Sequence, residues 1–273
     1  MGLRVNTNVA ALTSQRNLGA VTGRLQGNFA RLSSGLRIAT AADDAAGLGI
    51  SERMRGQIRS YTVASRNAQD GVSLAQTAEG ALQEVSNNLT RMRELAVQAS
   101  NGTLTTADRQ TLDTEFQALI TEIERVAGET SFNGVALLDG ANTTGLDIQV
   151  GVDSGDVINV GLADATSSGL GVDTSAVDTV ANAGLALAAI DSAIDDISTA
   201  RGNLGASQNR LTSAIASIFN TRENLSAAES RIRDVDVAIE TADLTRNSIL
   251  QQAAVSVLSQ ANVQPQLALS LLG

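Results

Sequence analysis

Leu18-Gly-Ala-Val21-Thr-Gly-Arg-Leu25-Gln-Gly-Asn-Phe29-Ala-Arg-Leu32-Ser-Ser-Gly-Leu36 steps its large apolar residues by three or four. Near the other end, Ile232, Val235, Ile239, Ala242, Ile249, Ala253 and Val257 do the same, with one gap at Arg246. Steps of three and four place side chains on one face of a helix, and a sustained alternation is the mark of a coiled-coil seam. Two seams at opposite ends imply that the ends meet each other or meet other copies of the chain. The fold class expected from this pattern is mainly α, a long-helix coiled-coil bundle.

Composition narrows the function. Apolar residues make up 43% of the 273 residues, yet aromatics are 2% and Trp is absent. Small aliphatics suit long helices packed closely side by side. Cys and His are both absent, which removes thiolate nucleophiles, His-based metal sites and the usual neutral-pH acid/base group. No enzyme and no cofactor are expected. The carboxylate pair Asp43-Asp44 fits a helix start better than a catalytic dyad, because acids favour helix N-termini.

The net charge of −10 is uneven. All 19 basic residues are Arg, and none lies between Ala127 and Ala200, where eleven of the 29 acids sit. The remainder is close to neutral, so it can pack against copies of itself without strong repulsion. No basic patch points to nucleic acid. No apolar run reaches the ~20 residues of a membrane span, and no apolar leader opens the chain.

Further elements follow along the chain. Gly19, Gly23 and Gly27 each cost about 1 kcal/mol relative to Ala in a helix, so the N-terminal stripe needs partners to order it. Residues 40 to 50 read as a joint. From about Gln57 to Ser100, Ala75, Ala78, Leu82, Val85, Leu89, Met92, Ala96 and Ala99 define a helix of roughly 65 Å. A second helix spans about Thr106 to Ala127, with Thr106 as its N-cap. Ile148, Val150, Val152 and Ile158, Val160, Leu162 alternate around Asp153-Ser154-Gly155-Asp156, a β-hairpin signal. The longest seam starts near Ile190 and runs through Ile194, Ile197, Leu204, Leu211, Ile215, Ile218 and Leu225 to Ile232. Arg201, Gln208, Arg222 and Glu229 share its stripe, either fixing register or lying along the edge with heads in water. Pro265 should break or kink the last helix, before the apolar tail Leu267, Leu269, Leu271 and Leu272.

These residues resemble a known family. Asn6-Thr7-Asn8, Arg31-Leu-Ser-Ser-Gly-Leu-Arg37, Asp43-Asp-Ala-Ala-Gly47, Ala64-Ser-Arg-Asn-Ala-Gln-Asp-Gly71, Arg93-Glu-Leu-Ala-Val-Gln98, Phe132-Asn-Gly134 and Gln264-Pro-Gln-Leu-Ala-Leu-Ser-Leu-Leu272 are similar to the bacterial flagellins. The likeness covers about residues 1 to 140 and 185 to 273. Only some forty-five residues fill the middle, which implies a minimal form lacking large outer domains.

The resemblance implies an extracellular flagellar filament subunit used for motility, self-assembling as a homopolymer. Residues 1–43 with 233–273 would form an inner terminal-helix domain. Residues 44–232 would form a helical bundle that includes the β-hairpin region at about 140–175. Assembly contacts would fall on Leu18, Val21, Leu25, Phe29, Leu32, Leu36, Ile232, Val235, Ile239, Ile249 and Val257. The termini would fold on polymerisation. Implied partners are the flagellar type III export apparatus, acting without a cleaved signal peptide, an export chaperone at the segment after Ile232, and the filament cap and hook-junction proteins. Arg91, Leu95 and Glu115 match the positions by which the Toll-like flagellin receptor recognises some members. A hook–filament junction protein is the alternative within the same class, but such proteins match the ends less well.

Overall fold

A computed structural model describes the backbone of residues 7–270 and the side chains of residues 7–264. Asn6, Leu271 and Leu272 lie outside the described residues. Five helices, α1 (Val9–Ser34), α2 (Ala45–Ala99), α3 (Thr106–Glu129), α4 (Val180–Arg233) and α5 (Val237–Ser270), carry most of the described chain. Two antiparallel two-stranded sheets complete it, β1 (Ser131–Phe132) with β2 (Val135–Ala136) and β3 (Leu146–Gln149) with β4 (Val157–Val160). The chain divides into two compact units, Met1–Gly56 with Asn224–Gly273, and Gln57–Glu223.

The Gln57–Glu223 unit owns the large core. The α2 stripe expected from the sequence is fully buried from Ala75 to Ala99. It packs with Phe116, Ile120 and Ile123 of α3 and with Ile190, Ile197, Leu204 and Leu211 of α4. Burying each such aliphatic or aromatic side chain stabilises by about 1.5–3 kcal/mol. Gln208 donates to the Glu79 carboxylate of α2 at 2.9 Å, and Arg201 lies 3.9 Å from the same group. Of the polar seam positions, Arg201 and Gln208 therefore tie α4 to α2, while Arg222 lies over the Phe219 ring and Glu229 stands 4.0 Å from Arg233, both on α4 itself.

Two helix starts differ from the expected ones for local chemical reasons. The N-cap of α3 is Thr105, not Thr106. Thr105 Oγ1 accepts from the Asp108 amide while the Asp108 carboxylate accepts from the Thr105 amide, a reciprocal capping box. Helix α2 begins at Ala45, well before Gln57. The Asp44 carboxylate accepts from the Gly47 amide at 2.9 Å and so caps its first turn.

The hairpin forms with register Leu146↔Val160 and Ile148↔Ile158. Val150, Val152 and Leu162 lie outside its strands; the Val150 and Gly151 amides both donate to the Asp156 carbonyl, where the turn begins. Ile158 and Val160 face the core. Gly71 permits this packing: a Cβ there would stand 3.0 Å from Ile148 Cγ1 and 3.2 Å from Leu211 Cδ1. The residues between β4 and α4 have no regular structure, yet they are pinned to α3. Glu124 accepts from the amide and hydroxyl of Ser167, and Asp113 accepts from the Val177 amide.

In the other unit, α1 and α5 pack antiparallel. The positions turned inward on α1 are Ala11, Ser14, Leu18, Val21, Leu25, Asn28 and Leu32. Those on α5 are Glu240, Leu244, Asn247, Gln251, Ala254, Leu258 and Ala261. Both sets alternate steps of three and four. Helix α5 runs through Pro265 to Ser270 rather than breaking there. The Ala261 carbonyl, which a proline at 265 cannot bond, accepts instead from Asn8 Nδ2 at 2.7 Å.

Candidate assembly surface

The inward face of α5 is half polar, and a polar cluster holds it. Asn28, buried on α1, donates its amide to the Glu240 carboxylate. Its carbonyl oxygen accepts from Asn247 Nδ2 at 2.8 Å. One asparagine thus grips two α5 residues seven apart. Arg31 stands 3.9 Å from Glu240 and from Asp43. Backbone hydrogen bonds from Thr40, ahead of the Arg31 charge, hold the Asp43 carboxyl below the usual carboxylate range.

The two connections of this unit pair with each other. Gly35 takes the left-handed conformation, φ 72°, and ends α1. Its carbonyl accepts from the Val235 amide at 3.0 Å, and the Arg37 amide donates to Arg233 O at 2.6 Å. Leu36 and Asp234 form an isolated antiparallel bridge. Arg233 reaches Glu52 at 2.8 Å. That hydrogen bond lowers the Glu52 pKa.

The expected assembly residues separate into three groups. Leu18, Val21, Leu25 and Leu32 lie half-buried against α5. Leu36, Ile232 and Val235 are half-buried at the paired connections, outside any α1–α5 seam. Phe29, Ile239, Ile249 and Val257 face outward, at 55%, 63%, 61% and 56% exposure. The apolar stripe of α5 is therefore not the face that packs on α1; the packing face is rotated by about one residue, roughly 100°. The reason is the Asn28 cluster, which satisfies Glu240 and Asn247 inside and leaves the isoleucines and valines outside. Val9, Leu12 and Val255 add to this exposed apolar surface. Large apolar side chains left exposed in such numbers on two helices suit an interaction surface.

In the other unit, the Arg91 guanidinium contacts Glu94 at 2.9 Å and Glu115 at 2.8 Å. The Glu94 hydrogen bond, then that of Glu115, raises its pKa. All three are exposed. Leu95 is not: it is 1% exposed, inside the core. It belongs to the core cluster that also contains Phe116 of α3 and Ile190 of α4. As a surface residue it is corrected; the exposed candidates here are Arg91 and Glu115.

Among the described residues, no group of three acidic side chains could hold a metal ion, and no helix is long and apolar enough to cross a membrane.

Residues 5–143 match the family model for the bacterial flagellin N-terminal helical region, and residues 187–272 match that for the C-terminal helical region. The chain belongs to the flagellins. It is 50% identical to a flagellin of Halalkalibacterium halodurans over 270 residues, covering 98% of this chain and 99% of that one. It is 44% identical to a flagellin of Bacillus subtilis over 303 residues, covering 99% and 100%. The crystal structure of Bacillus cereus flagellin is 35% identical, with a TM-score of 0.51, and overlaps 60% of this chain and 94% of that chain. This flagellin is a short form without large outer domains; the interval between the two matched regions holds the β3–β4 hairpin. As a flagellin it is a structural subunit of the extracellular flagellar filament and not an enzyme.

Proposed function

We propose that the outward apolar faces of α1 and α5 are subunit–subunit contacts of the filament, and that both helices order as the polymer forms. The supporting observation is the exposure of Phe29, Ile239, Ile249 and Val257. These residues have nothing to bury against in a single chain. The α1–α5 seam is half-buried and half polar, with Ala261 its only buried apolar residue among those described on the two helices. Such a pair is marginal alone. Packing against neighbouring copies supplies the missing burial, at about 1.5–3 kcal/mol per large side chain. Contacts of unlike faces that do not close a ring extend into an open helical polymer.

In this reading residues 1–43 with 233–273 act as one assembly domain, and residues 44–232 as a separately folded bundle. Terminal helices that order only in the polymer suit export through the flagellar type III apparatus, without a cleaved signal peptide. The segment after Ile232 is the chaperone-binding region until it enters the polymer. The filament cap and hook-junction proteins meet the same terminal faces at the two ends of the filament. Arg91 and Glu115 are the contacts for the Toll-like flagellin receptor, with Leu95 supporting them from the core.

The test is a paired substitution, Ile249→Asp with Val257→Asp. Both side chains are exposed in the single chain, so thermal unfolding of the monomer should match wild type. Polymerisation, followed by sedimentation and electron microscopy, should fail. Filaments of normal length and yield would refute the assignment of this face.

A further inference from the structure

Pro265 lies inside α5, which runs from Val237 to Ser270. A proline within a helix has no N–H for the carbonyl four residues back, and its ring pushes that carbonyl away from the helix axis. The carbonyl affected is that of Ala261. Ala261 is 7% exposed, so water cannot readily take the place of the missing donor, and a buried carbonyl without a partner is costly.

The donor present comes from the other end of the chain. Asn8 Nδ2 reaches Ala261 O at 2.7 Å, across 253 residues of sequence. The other half of the same side chain is also used. Asn8 Oδ1 accepts from the Ala11 amide at 3.1 Å and so caps α1. One amide thus begins α1 with its oxygen and completes α5 with its nitrogen.

We propose that Asn8 and Pro265 form a two-part lock: the proline leaves the last turns of α5 one donor short, and the docked start of α1 supplies it. Helix α5 beyond Ala261 is then complete only when α1 is in register beside it. The order of the two ends becomes mutual, a coupling that the seam residues alone do not enforce. The lock deepens the assembly reading above and rests on it where polymerisation is the readout.

The experiment is a double-mutant cycle in the full-length chain. Asn8→Ser keeps a good N-cap oxygen but loses the amide donor. Pro265→Ala restores the N–H that the Ala261 carbonyl lacks. The critical concentration for polymerisation is measured for wild type, each single variant and the double variant. Hydrogen exchange of the amides from residue 258 to 270 is measured in parallel in the filament, so that the lock is tested even if polymerisation is insensitive to the terminal helices. With Pro265 in place, Asn8→Ser should raise the critical concentration about fivefold, the loss of one net hydrogen bond. In the Pro265→Ala background it should have little effect. Protection should follow the same pattern. If Asn8→Ser chains do not polymerise, Pro265→Ala should restore their polymerisation. An equal penalty for Asn8→Ser in both backgrounds, in concentration and in exchange alike, would overturn the lock, as would no penalty in either. A lock seen by exchange without any change in polymerisation would instead count against the assembly reading.

Discussion

Replacing Asn28 by Leu should weaken the filament about a hundredfold. Asn28 and Glu240 are each 7% exposed. With the amide removed, the Glu240 carboxylate keeps only Arg31, at 3.9 Å, and Asn247 loses its acceptor. A hydrogen bond to a buried charged group is worth about 1.5–3 kcal/mol. Stranding the charge brings the loss toward the upper end of that range, and about 1.4 kcal/mol is a factor of ten. The critical concentration, read by sedimentation of polymer from monomer, reports it directly if the α1–α5 pair is ordered in the filament. The double variant Asn28→Leu, Glu240→Leu removes both partners and should recover most of the loss, since apolar replacement of a whole buried polar set is often neutral or stabilising. Polymerisation of Asn28→Leu at the wild-type concentration would refute the reasoning. So would a double variant as weak as the sum of its singles, because the two residues would then act independently.

Leu95→Ala should destabilise the isolated monomer by about 2–5 kcal/mol, as truncation of a fully buried leucine does. Arg91→Ala and Glu115→Ala should leave its unfolding temperature nearly unchanged while weakening a Toll-like flagellin receptor reporter signal; unfolding curves and the reporter together separate core from contact. Acid should weaken the Gln57–Glu223 unit through its depressed carboxyls. The Thr105 hydroxyl, then the Thr105 amide, lowers Asp108, and Arg125 lowers Glu122. A carboxyl depressed in the folded state contributes stability above its unfolded pKa and loses it as pH falls through the folded value. The unfolding temperature should therefore be flat near neutrality and fall below about pH 4, with a shallower fall in Asp108→Asn.

Periodicity made the large unit legible. The α2 stripe from Ala75 to Ala99 is apolar on one side only, so its inward face could be read directly. The hairpin was visible because Ile148 and Ile158 alternate with polar neighbours around a Gly-containing turn. The terminal pair was harder. Helix α5 carries two adjacent patterns of threes and fours, and by sequence the more apolar one reads as the seam. The inward one contains Glu240, Asn247 and Gln251, and its reading depends on Asn28, more than 200 residues away in sequence. Leu95 misled for a related reason: its spacing from Arg91 is that of one helix face, but Arg91 stands at the exposed edge of that face and Leu95 in the core. The cap of α3 falls one residue earlier than expected because Thr105 and Thr106 are equal by residue type. Only the reciprocal bond with Asp108 distinguishes them. The partner of the Ala261 carbonyl beside Pro265 is Asn8, a contact that no local pattern carries.

Amide hydrogen exchange, compared between monomer and filament, tests most directly whether neighbouring copies complete α1 and α5. The amides of residues 9–34 and 237–264 should exchange quickly in the monomer and be strongly protected in the filament, while those of α2 and α3 in the core are protected in both. Protection of α1 and α5 in the monomer equal to that of the core helices would contradict the account.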